Sequence, residues 1–147
     1  MIPYIFELNI FQNGYISPDD IKHLKSLGIT HLLNLHKPYP YLDEFIEAGF
    51  FVKQTFLHDL TPIETQIAVE IIDYIYNSIS QEKNKIFIHC LAGTNRSPAV
   101  IWLYYLSIGY SVEESTKRII STNKYLVVPD PIFISNLNLE LIKNRHD

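Results

Sequence analysis

The chain contains one cysteine, Cys90, in the run Lys85-Ile86-Phe87-Ile88-His89-Cys90-Leu91-Ala92-Gly93-Thr94-Asn95-Arg96-Ser97-Pro98. A cysteine thiolate is a strong nucleophile, and an arginine offers a planar fork of donors that matches two oxygens of a phosphate. The apolar residues before Cys90 read as a buried strand, and Ser97-Pro98 opens a helical stretch. Between a strand end and a helix start, successive backbone N–H groups of Leu91, Ala92, Gly93, Thr94, Asn95 and Arg96 can turn inward as an anion-binding nest, with the helix dipole adding its positive end. Gly93 suits a loop so tight that one residue needs positive φ or no side chain. The chemistry is phosphoryl transfer: Cys90 attacks phosphorus, and Arg96 grips two equatorial oxygens and neutralises developing charge. Donors that bind a phosphate dianion also stabilise a thiolate, which makes Cys90 a ready nucleophile at neutral pH. Ser97 is placed to offer its hydroxyl to the departing sulfur. Two readings stand for His89, one in which it orients the loop by hydrogen bonding and one in which it packs as a buried histidine. An isolated cysteine is ordinarily a small buried hydrophobe, but Cys, Gly, Arg and Ser at these offsets favour the phosphate loop.

Attack by a thiolate expels an alkoxide or phenoxide, so an acid must lie within hydrogen-bond reach of the leaving oxygen. Asp59, in Phe56-Leu57-His58-Asp59-Leu60-Thr61-Pro62, follows a predicted strand and is expected at the same sheet edge as Cys90. The same carboxylate then activates the water that hydrolyses the cysteinyl-phosphate. In the competing reading Asp59 caps the helix that begins near Ile63. Glu64 and Asp43 are the alternative acids.

The rest of the chain supplies the scaffold. Tyr4 to Ile10 reads as a strand, with Asn13-Gly14 as the turn into a short second one. Ser17-Pro18-Asp19-Asp20 starts a short helix closed by Gly28. Ile29 to Leu35 reads as a buried strand, Tyr41 to Ala48 as a short helix stopped by Gly49, and Phe50 to Phe56 as a further strand. From Ile63, the residues Ile67, Ile71, Ile75 and Ile79 fall four apart, the seam of an amphipathic helix. Lys85 to His89 is a strand, Ser97 to Ile108 a helix ended by Gly109, and Val112 to Ser121 the next. Pro129-Asp130-Pro131 precedes a last helix to about Lys143. Strands alternating with helices predict one α/β domain over residues 1–147. Its mostly parallel, twisted sheet of about four to five strands is flanked by helices on both faces, with ligands at the carboxyl ends of the strands.

Composition narrows the function. The 147 residues are 47% hydrophobic with a net charge of -4, which suits a packed domain and gives no global positive field for nucleic acid or anionic membrane. Ala99 to Tyr110 is too short to span a bilayer, which needs about 20 apolar residues. The stretch Met1 to Glu7 lacks the pattern of a secretory signal, so a cytoplasmic or nuclear location is expected. One cysteine permits neither an internal disulfide nor a thiolate metal cluster. His23, His31, His36, His58 and His146 show no metal-ligand spacing and read as neutral structural or surface residues, His58 being notable for adjoining Asp59. Trp102, Tyr104 and Tyr105 read as packing.

His89-Cys90-Leu91-Ala92-Gly93-Thr94-Asn95-Arg96-Ser97 resembles the HCxxGxxRS signature of the protein tyrosine phosphatase superfamily, specifically its small dual-specificity branch. Leu24 to Leu35 is similar to that branch's segment before its second main strand. Lys124 through Pro129-Asp130 to Phe133 and Leu137 is similar to its entry to the C-terminal helix. The resemblance implies a protein tyrosine phosphatase-like fold, with Cys90 as nucleophile, Arg96 as phosphate clamp, Ser97 as leaving-group helper and Asp59 as general acid. It further implies a shallow pocket that accepts phosphotyrosine and phosphoserine or phosphothreonine in a phosphorylated protein, with no cofactor and no metal. Lysines of the kind found in the loops of lipid phosphatases are missing from Leu91, Ala92, Thr94 and Asn95, which disfavours inositol lipids. The alternatives are an RNA 5′-phosphatase, suggested by Asn95-Arg96 and opposed by the acidity of the chain, and a phosphoprotein-binding module with little turnover. A sulfurtransferase also uses a loop cysteine but has no need of Asp59.

Overall fold

The computed structural model describes residues 2–37, 39–58, 61–93, 95–122 and 136–147. Its chain begins with β1 (Tyr4–Glu7) and β2 (Ile10–Asn13), an antiparallel hairpin in which Glu7 faces Ile10. The reversal therefore falls at Leu8-Asn9 and not at Asn13-Gly14, where the sequence pattern predicts it. Leu8 is exposed at the tip, whereas Asn13-Gly14 leaves the far end of β2 and meets the loop that follows Cys90.

A 3₁₀ turn, Pro18–Asp20, leads into α1 (Ile21–Ser26), and Asp20 Oδ2 accepts from the Ser17 N–H at 3.0 Å, fixing the helix entry. There follow β3 (His31–Asn34), α2 (Leu42–Glu47), β4 (Phe51–Gln54), α3 (Thr65–Ser78) and β5 (Ile86–His89). After them come α4 (Arg96–Ser107), α5 (Val112–Thr122) and α6 (Asn136–Ile142). The strand expected over Tyr4 to Ile10 is interrupted at Leu8-Asn9, and no short strand follows directly on Asn13-Gly14. The other predicted elements are present with their ends trimmed by a few residues, and Pro129-Asp130-Pro131 lies outside the described residues.

The five strands form one sheet in the order β1-β2-β5-β3-β4, parallel except at β1. Side chains alternate across it. Ile86 and Ile88 of β5 and Leu33 of β3 join a core with Ile71, Ile72 and Ile75 of α3 and with Val100 and Leu103 of α4. Phe87, Leu32 and Phe11 join a second core with Leu24 of α1 and Phe45 of α2. Helices thus cover both faces, as a parallel sheet requires. Full burial of each such side chain contributes ~1.5–3 kcal/mol. Every residue of α4 is buried. Trp102 packs within this core and its indole N–H donates to Thr116 Oγ1 at 3.1 Å, consistent with the packing role expected for it. No helix among the described residues is long and apolar enough to cross a membrane.

The register sets the position of the site. His89 pairs with both Asn13 and Asn34, and Asn34 pairs with Gln54. The carboxyl ends of β2, β5, β3 and β4 therefore lie side by side, and the loops that leave them share one edge.

Candidate active site

Cys90 is the first residue after β5, at the middle of that edge, and it is 1% exposed. Its Sγ lies 3.2 Å from Ser97 Oγ and accepts from the Gly93 N–H at 3.3 Å. The sulfur faces the first turn of α4, which begins at Arg96 with Asn95 as its cap residue. A helix N-terminus and an inward N–H converge on it, the arrangement that favours an anion. Cys90, Gly93 and Ser97, singled out by spacing, are brought together. Leu91 and Ala92 form the exposed rim of the loop, and Thr94 lies outside the described residues.

Gly93 holds φ +77°, a region that side-chain-bearing residues rarely adopt. A Cβ at Gly93 would sit 2.6 Å from the Gly14 nitrogen, and one at Gly14 would sit 2.9 Å from the Leu91 carbonyl oxygen. The Tyr15 N–H donates to that same carbonyl at 3.0 Å. Asn13-Gly14-Tyr15 is therefore a backbone buttress under the Cys90 loop, which explains why its glycine is not spent on the hairpin turn.

Gln12 of β2 is the residue that sequence reasoning missed. It is fully buried, and its Nε2 donates at 2.7 Å to the Gly93 carbonyl and at 2.7 Å to Ser97 Oγ. The only signal in the sequence is a glutamine beside Ile10 and Phe11 in a run that otherwise reads as a buried strand.

Arg96 is 8% exposed and its Nη1 donates to the Leu57 carbonyl at 3.0 Å. The candidate acid, Asp59, lies outside the described residues, two positions beyond Leu57. Of the alternative acids, Glu64 precedes α3 and lines a cavity of about 310 Å³ with Leu57 and His58. Asp43 lies in the first turn of α2, whose Phe45 packs in the core on the opposite face from α4.

The ring of His89 is completely buried and neither nitrogen has a hydrogen-bond partner. It packs against the rings of His36, Tyr39 and Phe87. The loop-orienting hydrogen bond considered for His89 is not made; it is a packed histidine, and burial together with His36 pushes its imidazole down to about 3. His36, likewise without a partner on either nitrogen, is lowered by burial and by the Arg96 guanidinium. Both rings are neutral at physiological pH, so they add no positive charge to repel Arg96. No cluster of histidine, cysteine and carboxylate suited to a metal occurs among the described residues.

Known proteins resemble this chain in sequence and in fold. "Dual specificity protein phosphatase 26" of Mus musculus is 28% identical over 102 residues, covering 67% of this chain and 48% of that protein. Its Homo sapiens counterpart is 31% identical over 88 residues, covering 58% and 42%. The chain spans about half the length of the curated relatives it matches. Among solved structures, Tk-PTP in its active form superposes with a TM-score of 0.76 at 18% identity, covering 95% of this chain and 92% of that one. PTPMT1 in complex with PI(5)P superposes with a TM-score of 0.78 at 13% identity, covering 98% and 94%. The family described as "Dual specificity phosphatase, catalytic domain" matches residues 10–140. That match runs from the first residue of β2 through the Cys90 loop and into α6, and on it the chain belongs to the dual-specificity phosphatase family.

Proposed function

We propose that residues 1–147 act as one catalytic domain that hydrolyses phosphotyrosine and phosphoserine or phosphothreonine monoesters in proteins through a cysteinyl-phosphate on Cys90. The supporting observation is the sulfur of Cys90, buried at the carboxyl end of the central strand and met there by the Gly93 N–H and the Ser97 hydroxyl. Donors arranged in this way favour a phosphate dianion beside the sulfur.

In the first step the thiolate attacks phosphorus in line. The S–P bond forms as the ester P–O bond breaks, and Asp59 gives its proton to the leaving oxygen. Arg96 holds two equatorial oxygens while charge shifts onto the transferring group. In the second step Asp59 takes a proton from water, the water oxygen attacks phosphorus, and Sγ leaves with the S–P electron pair toward Ser97 Oγ. Inorganic phosphate departs. The cycle needs no metal. A nucleophilic thiol that must stay reduced suits the cytoplasm or nucleus.

The exposed side chains of Leu91 and Tyr15 beside the loop offer an apolar rim for the ring of phosphotyrosine, which supports protein substrates. PTPMT1 was solved with PI(5)P; a loop without lysine disfavours inositol lipid here.

The test is aryl phosphate hydrolysis across pH, without added metal, by wild type, Cys90→Ser and Asp59→Asn. Wild type is expected to turn over, Cys90→Ser to be inactive, and Asp59→Asn to lose activity on substrates with poor leaving groups. Phosphopeptide, triphosphorylated RNA and PI(5)P compared at equal concentration decide substrate class, with the phosphopeptide expected to lead. Binding of phosphopeptide without turnover by wild type would replace this reading with that of a binding module.

A further inference from the structure

We propose that Gln12 is a positioning residue that aims the Ser97 hydroxyl proton at the Cys90 sulfur, so that it acts on the breakdown of the cysteinyl-phosphate more than on its formation. The proposal rests on the phosphatase reading of the site.

The hydrogen-bond directions follow from what each group can do. Two atoms lie 2.7 Å from Gln12 Nε2, the Gly93 carbonyl oxygen and Ser97 Oγ. A carbonyl oxygen only accepts, so the amide nitrogen and not Oε1 must face Gly93. The reversed amide would set two acceptor oxygens against each other. One Nε2 hydrogen is then committed to Gly93 and the other to Ser97 Oγ. Ser97 Oγ, occupied as an acceptor, has its own proton left to donate, and the Cys90 Sγ lies 3.2 Å away. Within this buried group the hydroxyl's role as donor to sulfur is set by Gln12.

Gln12 Oε1 is buried and has no hydrogen-bond partner. An apolar side chain of similar shape would leave no such orphan, so the residue is present for its two donors. Those donors also tie the tight part of the loop, at Gly93, to the first turn of α4, at Ser97.

The consequence falls on the second chemical step. When water attacks phosphorus, the S–P electron pair returns to Sγ, and a donor already aimed at sulfur stabilises that charge as it develops. Without Gln12 the Ser97 hydroxyl loses the donor that fixes its rotation and is free to turn its proton away from the sulfur. The sulfur then leaves without that hydrogen bond, and the cysteinyl-phosphate accumulates.

The experiment is rapid-mixing kinetics with an aryl phosphate on wild type, Gln12→Met, Ser97→Ala and the double variant. Met keeps the volume of Gln and removes both donors. Expected for Gln12→Met is a burst of phenol approaching one per active site, kcat lower by about tenfold, and KM lower in parallel, so that kcat/KM stays within about threefold of wild type. The double variant should be no slower than Ser97→Ala, because both remove the same hydrogen bond. A merely structural role would lower kcat/KM and weaken vanadate binding together, with no burst; that result overturns the proposal. Should Gln12→Met fail to fold, the side-chain NH2 signals of Gln12 in wild type give the answer by NMR. Both hydrogens should be slow to exchange, and one should become fast in Ser97→Ala; two fast hydrogens in wild type would contradict the assignment. Cys90-dependent turnover with an unaltered Gln12→Met removes the proposal and leaves the phosphatase reading standing. Turnover that survives Cys90→Ser removes both.

Discussion

The Arg96 guanidinium donates to the Leu57 carbonyl at 3.0 Å, and this contact closes a chain of hydrogen bonds across three loops. The Leu35 N–H donates to the His89 carbonyl and the Leu57 N–H donates to the Leu35 carbonyl, each at 3.0 Å. The loops after β5, β3 and β4 are thereby fixed to one another at the shared sheet edge, and the arginine proposed to grip phosphate is held by the strand exit that leads to Asp59.

Arg96→Lys keeps the charge and loses both the planar fork and the geometry of the Leu57 contact. Expected is a fall in kcat/KM of at least ~100-fold, about 3 kcal/mol in transition-state stabilisation, with the urea midpoint little changed. Steady-state kinetics and equilibrium unfolding on the same preparation check it. Activity within a fewfold of wild type would mean that Arg96 does not hold the transferring group.

Gly14→Ala should be far worse than a loop glycine substitution usually is. Its Cβ would press on the backbone of Leu91 and Ala92, which cannot yield as a flexible side chain can. We expect a loss of ~1–3 kcal/mol in unfolding free energy and a larger proportional loss of turnover, because the displaced atoms belong to the Cys90 loop. Denaturant unfolding alongside aryl phosphate turnover measures both; an alanine accepted at no cost would contradict the buttress.

Acid should destabilise the fold early. In the unfolded chain a histidine takes up its proton as the pH falls through about 6.5, whereas His89 in the fold stays neutral down to about 3. Protons therefore bind the unfolded state in preference across that window, and stability falls with pH by up to ~1.4 kcal/mol per unit. His36, also lowered by burial, adds in the same direction. Asp73 is held low by its hydrogen bonds to Arg145, so its contribution is lost only below the ordinary carboxylate range and is separable. The urea midpoint should decline steadily from about pH 6.5 to about pH 4 in wild type and less steeply in His89→Leu. A flat wild-type profile there would contradict the buried neutral ring.

Peroxide should inactivate through Cys90 alone, since the chain has no second thiol to form an internal disulfide. The expected products are a sulfenic acid, a cyclic sulfenamide or a mixed disulfide with added thiol. Loss of activity with Cys90 unmodified by mass spectrometry would refute this.

The features legible in the sequence are those written locally. The continuous apolar run of β5 and the four-residue spacing of α3 mark the central strand and one of the sheet's covers. The offsets from Cys90 to Gly93, Arg96 and Ser97 locate the loop, because a strand end, a tight turn and a helix start follow one another along the chain. What escaped depends on contacts between distant segments. Gln12 meets Gly93 and Ser97 only because β2 lies beside β5 in the sheet, and no local pattern records that pairing. Asn13-Gly14 reads as a hairpin turn by the same residue preferences that, in the fold, serve a close backbone approach. His89 illustrates the limit of residue type, since a histidine beside a nucleophile suggests hydrogen bonding while its ring is in fact sealed among other rings.

The central claim is that phosphate passes through Cys90. The most direct test is to mix the protein with an aryl phosphate or phosphopeptide, quench within milliseconds, digest, and search by mass spectrometry for added phosphate on the peptide carrying Cys90. Phosphate on the Cys90 sulfur, enriched in Asp59→Asn and missing from Cys90→Ser, is the predicted result. Turnover by wild type with no phosphorylated Cys90 under any quench, or phosphate found on another residue, would contradict it.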